Sequence, residues 1–176
     1  MSKKEYKLKI KTEKDSLTDT YGKFVLQPLE RGYAVTVGNA LRRVLLTSLP
    51  GAAITNVKVD GVLHEFSTIP GVKEDLTDIL LNLKSIAVKV HSPGLKKMYL
   101  KSTGSGELRA GNFETDSETE IMNPDQLIMT LDSNADVEIE ANVETGKGYV
   151  SAEVAEDENK IIGEIKLDAM FSPVVK

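Results

Sequence analysis

The chain has 176 residues, 40% of them hydrophobic, a formal net charge of −5 and no cysteine. That length and apolar content support a genuine core in one domain or two small ones, which excludes a disordered tail, and the lack of cysteine excludes disulfides and thiolate metal sites and suits the reducing cytoplasm. Acidic and basic residues are spread along the sequence, which argues against direct nucleic-acid binding, and no stretch approaches a signal-peptide core or the ~20 apolar residues of a membrane span.

Tyr6, Leu8 and Ile10 alternate with lysines, the period of a half-buried strand whose exposed face is basic. Lys23 to Gln27 reads as a second strand, closed by Pro28, which withholds a backbone donor. The chain then enters its most strongly patterned stretch. Val37, Ala40, Leu41, Val44 and Leu45 fall on one side of a 3.6-residue helix, with Thr36 as its expected cap and Pro50-Gly51 as its stop. Gly38, in the first turn, costs about 1 kcal/mol relative to Ala, which predicts that another backbone comes close there. Arg42 and Arg43 flank the stripe, with Leu46 one turn on. The flank is either solvated or, because an apolar residue sits between guanidinium groups, a surface fit to dock on a partner.

Beyond Gly51 the pattern turns extended. Ile54, Val57 and Val59 lead to Asp60-Gly61, a tight-turn signal, and Val62 to Phe66 resumes the run, so two short extended segments are expected. After the loop Ser67 to Lys73, Glu74 and Asp75 place negative charge on the first turn of a second helix, whose buried stripe is Leu76, Ile79, Leu80 and Leu83, and Lys84 ends it. Ile86 to Val90 and Tyr99 to Lys101 read as strands separated by a turn at Ser92-Pro93-Gly94. Thr103 to Gly111 reads as a flexible glycine-containing loop. Leu127, Met129 and Leu131, then Val137, Ile139, Ala141 and Val143, read as a paired antiparallel hairpin. The acidic run Glu156-Asp157-Glu158 suits a solvated loop, and Ile161 to Leu167 a further strand.

Signatures of chemistry are missing from the sequence. Glu114, Asp116, Glu118 and Glu120 alternate, as on one face of an extended segment, and read as a charged solvent face rather than a two-metal centre. His64-Glu65 lacks the second histidine of HExxH, the glycines at 104, 106 and 111 do not keep GxGxxG spacing, and GxSxG does not occur.

The motifs LERG, GNALRR, SLPG, DGVLHE and EDLTDILLNLK occur in one order and spacing between Leu29 and Lys84. In this respect the chain resembles the amino-terminal domain of the alpha subunit of bacterial RNA polymerase. The resemblance implies an α+β fold, a helix-bearing dimerisation subdomain into which a β-rich, mainly antiparallel subdomain is inserted, with boundaries here at 1–51, 52–170 and a return beginning at 171–176. It implies a protein without catalysis or cofactor of its own, a cytoplasmic component of DNA-directed RNA polymerase that forms a homodimer and nucleates assembly of the beta and beta-prime subunits. Carried over position by position, Arg43, Leu46 and Arg42 would dock beta, together with the loop holding His64, Glu65, Ser67, Thr68 and Gly71. Lys84 and Leu167 would contact beta-prime, and Val37, Ala40, Leu41, Val44 and Leu45 would form the dimer seam. The second dimerisation helix of the family and its separate DNA-contacting domain have no counterpart in these residues, so a truncated piece without direct DNA binding is expected. A stand-alone β-rich binding module of the same fold is the alternative.

Overall fold

The computed structural model describes residues 7–152 and 163–174. The chain divides into two compact units, Met1–Val44 and Leu45–Lys176, the division falling within the first helix.

In the first unit β1 (Lys9–Thr12) pairs antiparallel with β2 (Phe24–Gln27), from Lys9 opposite Gln27 to Thr12 opposite Phe24. Directly opposed residues share a face, so Lys9, Lys11, Val25 and Gln27 lie on one side and Ile10, Thr12, Phe24 and Leu26 on the other. The Glu13 N–H donates to the Lys23 carbonyl, and their side chains pair at 3.0 Å, which closes the intervening loop. Helix α1 (Tyr33–Thr47) begins earlier than expected. Gly32 adopts φ +92°, and the Tyr33 N–H donates to the Glu30 carbonyl, so the turn closes ahead of Thr36, which lies inside the helix rather than capping it.

The second unit is built on a four-stranded antiparallel sheet. Its strands are β3 (Pro50–Val59), β5 (Lys96–Thr103), β9 (Asp136–Lys147) and β11 (Glu164–Lys166), in the order β11-β3-β9-β5. Pro50 does not merely end α1. It opens β3, the place in a strand where a missing N–H costs least. Val57, Val59, Met98, Leu100, Val137, Ile139, Ala141 and Val143 point inward and are at most 2% exposed. The other face is charged, with Lys101 paired to Glu138 at 2.6 Å and Lys97 paired to Glu140. This apolar-in, polar-out alternation is what a sheet with one solvated face requires. A bulge interrupts β3: Ile54 stands opposite Val143 and Asn56 opposite Asn142, with Thr55 as the extra residue.

Helix α2 (Leu76–Lys84) covers the inner side with Leu76, Ile79, Leu80 and Leu83, all buried. Each such side chain contributes about 2 kcal/mol of transfer free energy. Asn82 donates from Nδ2 to the Ile128 carbonyl at 2.8 Å and fixes the helix to β8 (Leu127–Leu131). Two smaller ladders complete the layer, β4 (Val88–Val90) with β7 (Thr119–Ile121) and β6 (Gly106–Arg109) with β8. A last pair joins β10 (Tyr149–Val150) to β12 (Ala169–Met170).

Three expectations are corrected. Val62 to Phe66 forms no strand; β3 is instead one longer strand that ends at the Asp60-Gly61 turn. Thr103 to Gly111 is not a simple loop, since Gly104, at φ +84°, makes a tight turn into β6. Residues 127–131 and 136–147 do not pair with each other, because β8 takes β6 as partner while β9 is flanked by β3 and β5. The acidic run Glu156-Asp157-Glu158 and the start of the expected strand at Ile161 lie outside the described residues.

Candidate functional site

The residues singled out in the sequence fall on three surfaces. On α1, no residue is buried. Leu41 is 53% exposed and Val44 51%, Leu45 and Leu46 are exposed, Ala40 is exposed, and only Val37 is half-buried. Arg42 and Arg43 are exposed beside them. A Cβ added at Gly38 would meet nothing within 4 Å, so no neighbour among the described residues accounts for that glycine. A contiguous uncovered apolar face of this kind marks an interaction surface.

The second surface is the loop between β3 and α2. It is pinned at both ends by the buried Val62 and Ile69, and between them the His64 ring nitrogen lies 3.2 Å from the Ser67 hydroxyl. The Glu65 carbonyl accepts from the Thr77 hydroxyl at 3.3 Å, leaving the Glu65 side chain and Thr68 exposed. Gly71 is of a different kind. At φ +79° it packs so closely on the β8–β9 turn that a Cβ would come within 2.8 Å of the Ala135 Cα and the Asp132 carboxylate. The Asp132 N–H donates to the Gly71 carbonyl at 2.8 Å, so this residue holds the loop in place rather than presenting a side chain.

Glu74 continues the fastening. Burial pushes its carboxyl up, but donation from the Thr130 N–H and hydroxyl, together with the nearby Lys73 ammonium, outweighs burial and holds it below its ordinary range. Two residues that sequence reasoning missed dominate the loop's surface: Leu63 is 72% exposed and Phe66 81%. Reading 62–66 as a strand concealed them. The available signal was two large apolar residues flanking His64-Glu65 next to a turn.

The third surface joins the end of α2 to the chain's last strand segments. Lys84 pairs with Asp168 at 3.4 Å, and the other Asp168 oxygen accepts from the Ala152 N–H at 3.0 Å. That backbone hydrogen bond, with the Lys84 ammonium and the Tyr149 hydroxyl, holds the Asp168 carboxyl below its usual range against some desolvation. Leu167 is adjacent in sequence but only 8% exposed, its N–H donating to the Thr55 carbonyl at 2.7 Å. Lys84 and Asp168 border a cavity of about 700 Å³ whose walls include Ala52, Ile54, Ile86, Val88 and Phe171.

The alternating acidic residues do not converge on a ligand. Asp116 pairs with Lys96 at 3.4 Å, Glu120 with His91 at 3.6 Å, and among the described residues no group of His, Asp and Glu is placed to hold a metal ion. No described helix is long and apolar enough to cross a membrane.

Residues 57–172 match the model of the RNA polymerase Rpb3/RpoA insert domain. The chain is 51% identical over 168 residues, 96% of its length and 54% of the relative's, to the DNA-directed RNA polymerase subunit alpha of Moorella thermoacetica. It is 52% identical to that of Symbiobacterium thermophilum, over 96% of the chain and 53% of the relative, and 49% identical to that of Geobacter metallireducens, over 96% and 49%. The chain thus spans about half the length of the curated relatives it matches. With an α+β fold of antiparallel sheets and a family match over most of that fold, the chain belongs to the RNA polymerase Rpb3/RpoA insert-domain family, whose matched bacterial relatives are alpha subunits of the polymerase.

Proposed function

We propose that this chain is a non-catalytic scaffold of bacterial DNA-directed RNA polymerase, cytoplasmic, acting by dimerisation and by capture of the beta and beta-prime subunits. The observation that carries this reading is α1, a fifteen-residue helix with an apolar side and not one buried residue. An isolated helix of that length is marginal in water and gains stability by burying its amphipathic face, so a partner is implied. Val37, Ala40, Leu41, Val44 and Leu45 supply the dimer seam, while Arg43, Leu46 and Arg42 face beta.

The loop is a second beta-facing surface. His64, Glu65, Ser67 and Thr68 present the polar contacts, Leu63 and Phe66 add apolar anchors, and Gly71 sets the loop's position. Lys84 would meet beta-prime from the rim it shares with Asp168, and Leu167 supports that rim from the core.

Capture of purified beta subunit by the chain, compared with Arg43→Ala, tests the reading. Capture lost in the variant with its unfolding midpoint unchanged supports docking. A markedly lower denaturant midpoint assigns Arg43 a structural role, and equal capture by both excludes it from the interface.

A further inference from the structure

Charge is polarised along this chain in a way its total conceals. The first fourteen residues hold six lysines against two glutamates, a net of +4 within a chain of net −5, which leaves −9 on the remainder. The structure orders part of this excess into a row. Lys7, Lys9 and Lys11 border one shallow groove of about 410 Å³, completed by Gln27 and Pro28. All three are exposed, and no described carboxylate lies in ion-pair range of them. The β1–β2 register explains why: the residues opposite Lys9 and Lys11 are Gln27 and Val25, neither acidic.

We infer that the Lys7, Lys9 and Lys11 face of the β1–β2 sheet binds the phosphate backbone of duplex nucleic acid without reading its sequence. Residues two apart on a strand are about 6.7 Å apart, so the row spans about 13 Å in a straight line. The axial rise of about 3.4 Å per phosphate combines with rotation about the helix axis to separate neighbouring phosphates of one strand by about 6–7 Å, so the lysine period matches successive phosphates. The character of the face selects among polyanions. A single-strand site stacks bases on aromatic side chains, and among the described residues this face has none, since Phe24 points to the opposite side. A protein-docking site is built around aromatic or apolar anchors and is depleted in lysine, whereas here three lysines surround only Val25 and Gln27. The expectation from net charge, that the chain avoids DNA, averaged this row with the acidic remainder.

The test is a fluorescence-anisotropy titration of the full chain into a labelled mixed-sequence 24-base-pair DNA duplex. Three neutralised phosphates give a slope of log affinity against log salt of about −2.7, hence about 40-fold weaker binding at 200 mM than at 50 mM salt. The triple variant K7Q/K9Q/K11Q should lose at least tenfold in affinity at 50 mM salt and most of the slope, while K7R/K9R/K11R retains both, with thermal unfolding unchanged in each. Wild-type affinity in the glutamine variant overturns the inference. Tighter binding of a poly-glutamate peptide or of phosphatidylserine vesicles than of the duplex also overturns it, and assigns the face to an acidic protein or a lipid surface instead.

Discussion

The Glu74 carboxylate holds Thr130 twice, accepting the backbone N–H at 2.7 Å and the hydroxyl at 2.9 Å, and with the return bond from the Lys73 N–H to the Thr130 carbonyl it stitches the loop before α2 to β8. Hydrogen bonds to a charged group contribute about 1.5–3 kcal/mol each. Glu74→Gln is expected to lower stability at pH 7 by about 2 kcal/mol, measured by urea denaturation. The folded pKa lies below the unfolded one, so this stabilisation is complete above the unfolded value and is lost as pH falls through the folded value. The difference between wild type and variant should therefore shrink toward pH 3.

Gly51 tests packing without polarity. An added Cβ would clash with the Phe171 carbonyl oxygen, a backbone atom that cannot swing aside. Gly51→Ala should cost about 2 kcal/mol or more, as overpacking does, read from the same denaturation curves. Gly38→Ala, where nothing lies within 4 Å, should leave the isolated chain as stable or slightly more so.

On α1, the double variant Leu41→Ser/Val44→Ser removes apolar surface that is about half exposed in the described residues. Its unfolding free energy should move by no more than about 0.5 kcal/mol. Self-association followed by sedimentation equilibrium should weaken at least tenfold. A large loss of stability with self-association unaltered would reassign the stripe to the interior.

Leu63 and Phe66 separate folding from docking on the loop. Phe66→Ser should leave the denaturant midpoint unchanged, because the side chain is 81% exposed. Beta capture should fall by about tenfold or more, the usual effect of losing an aromatic anchor at an interface.

What was legible in the sequence follows from range. The stripe Leu76, Ile79, Leu80 and Leu83 identified α2 and its buried side because a helix writes its orientation into residues three and four apart. The β8 partner was not legible, because strand pairing is decided between distant segments. The true partner, β6, was masked by Gly104 and Gly106, which read as a loop and serve as a turn and a strand start. Glu74 looked like a helix-start acid and acts as a clamp on a residue 56 positions away. On the candidate site, α1 stood out from periodicity, and Arg43 from the resemblance of its motif. Leu63 and Phe66 did not, since their exposure depends on the chain leaving the sheet at Gly61.

The bulge at Thr55 makes β3 a strand that counts its residues. Upstream of it Ile54 faces the core and downstream Val57 does, three positions apart instead of two, so the strand's inside and outside exchange parity at that point. Any hydrophobic residue of fitting size will serve at 54 or 57, but the extra residue is what lets both face inward: the same residues in a regular strand without the bulge would set Ile54 and Val57 on opposite sides of the sheet. The stretch from 54 to 57 is consequently tolerant of altered spelling, while its inward face depends on one residue standing out of register.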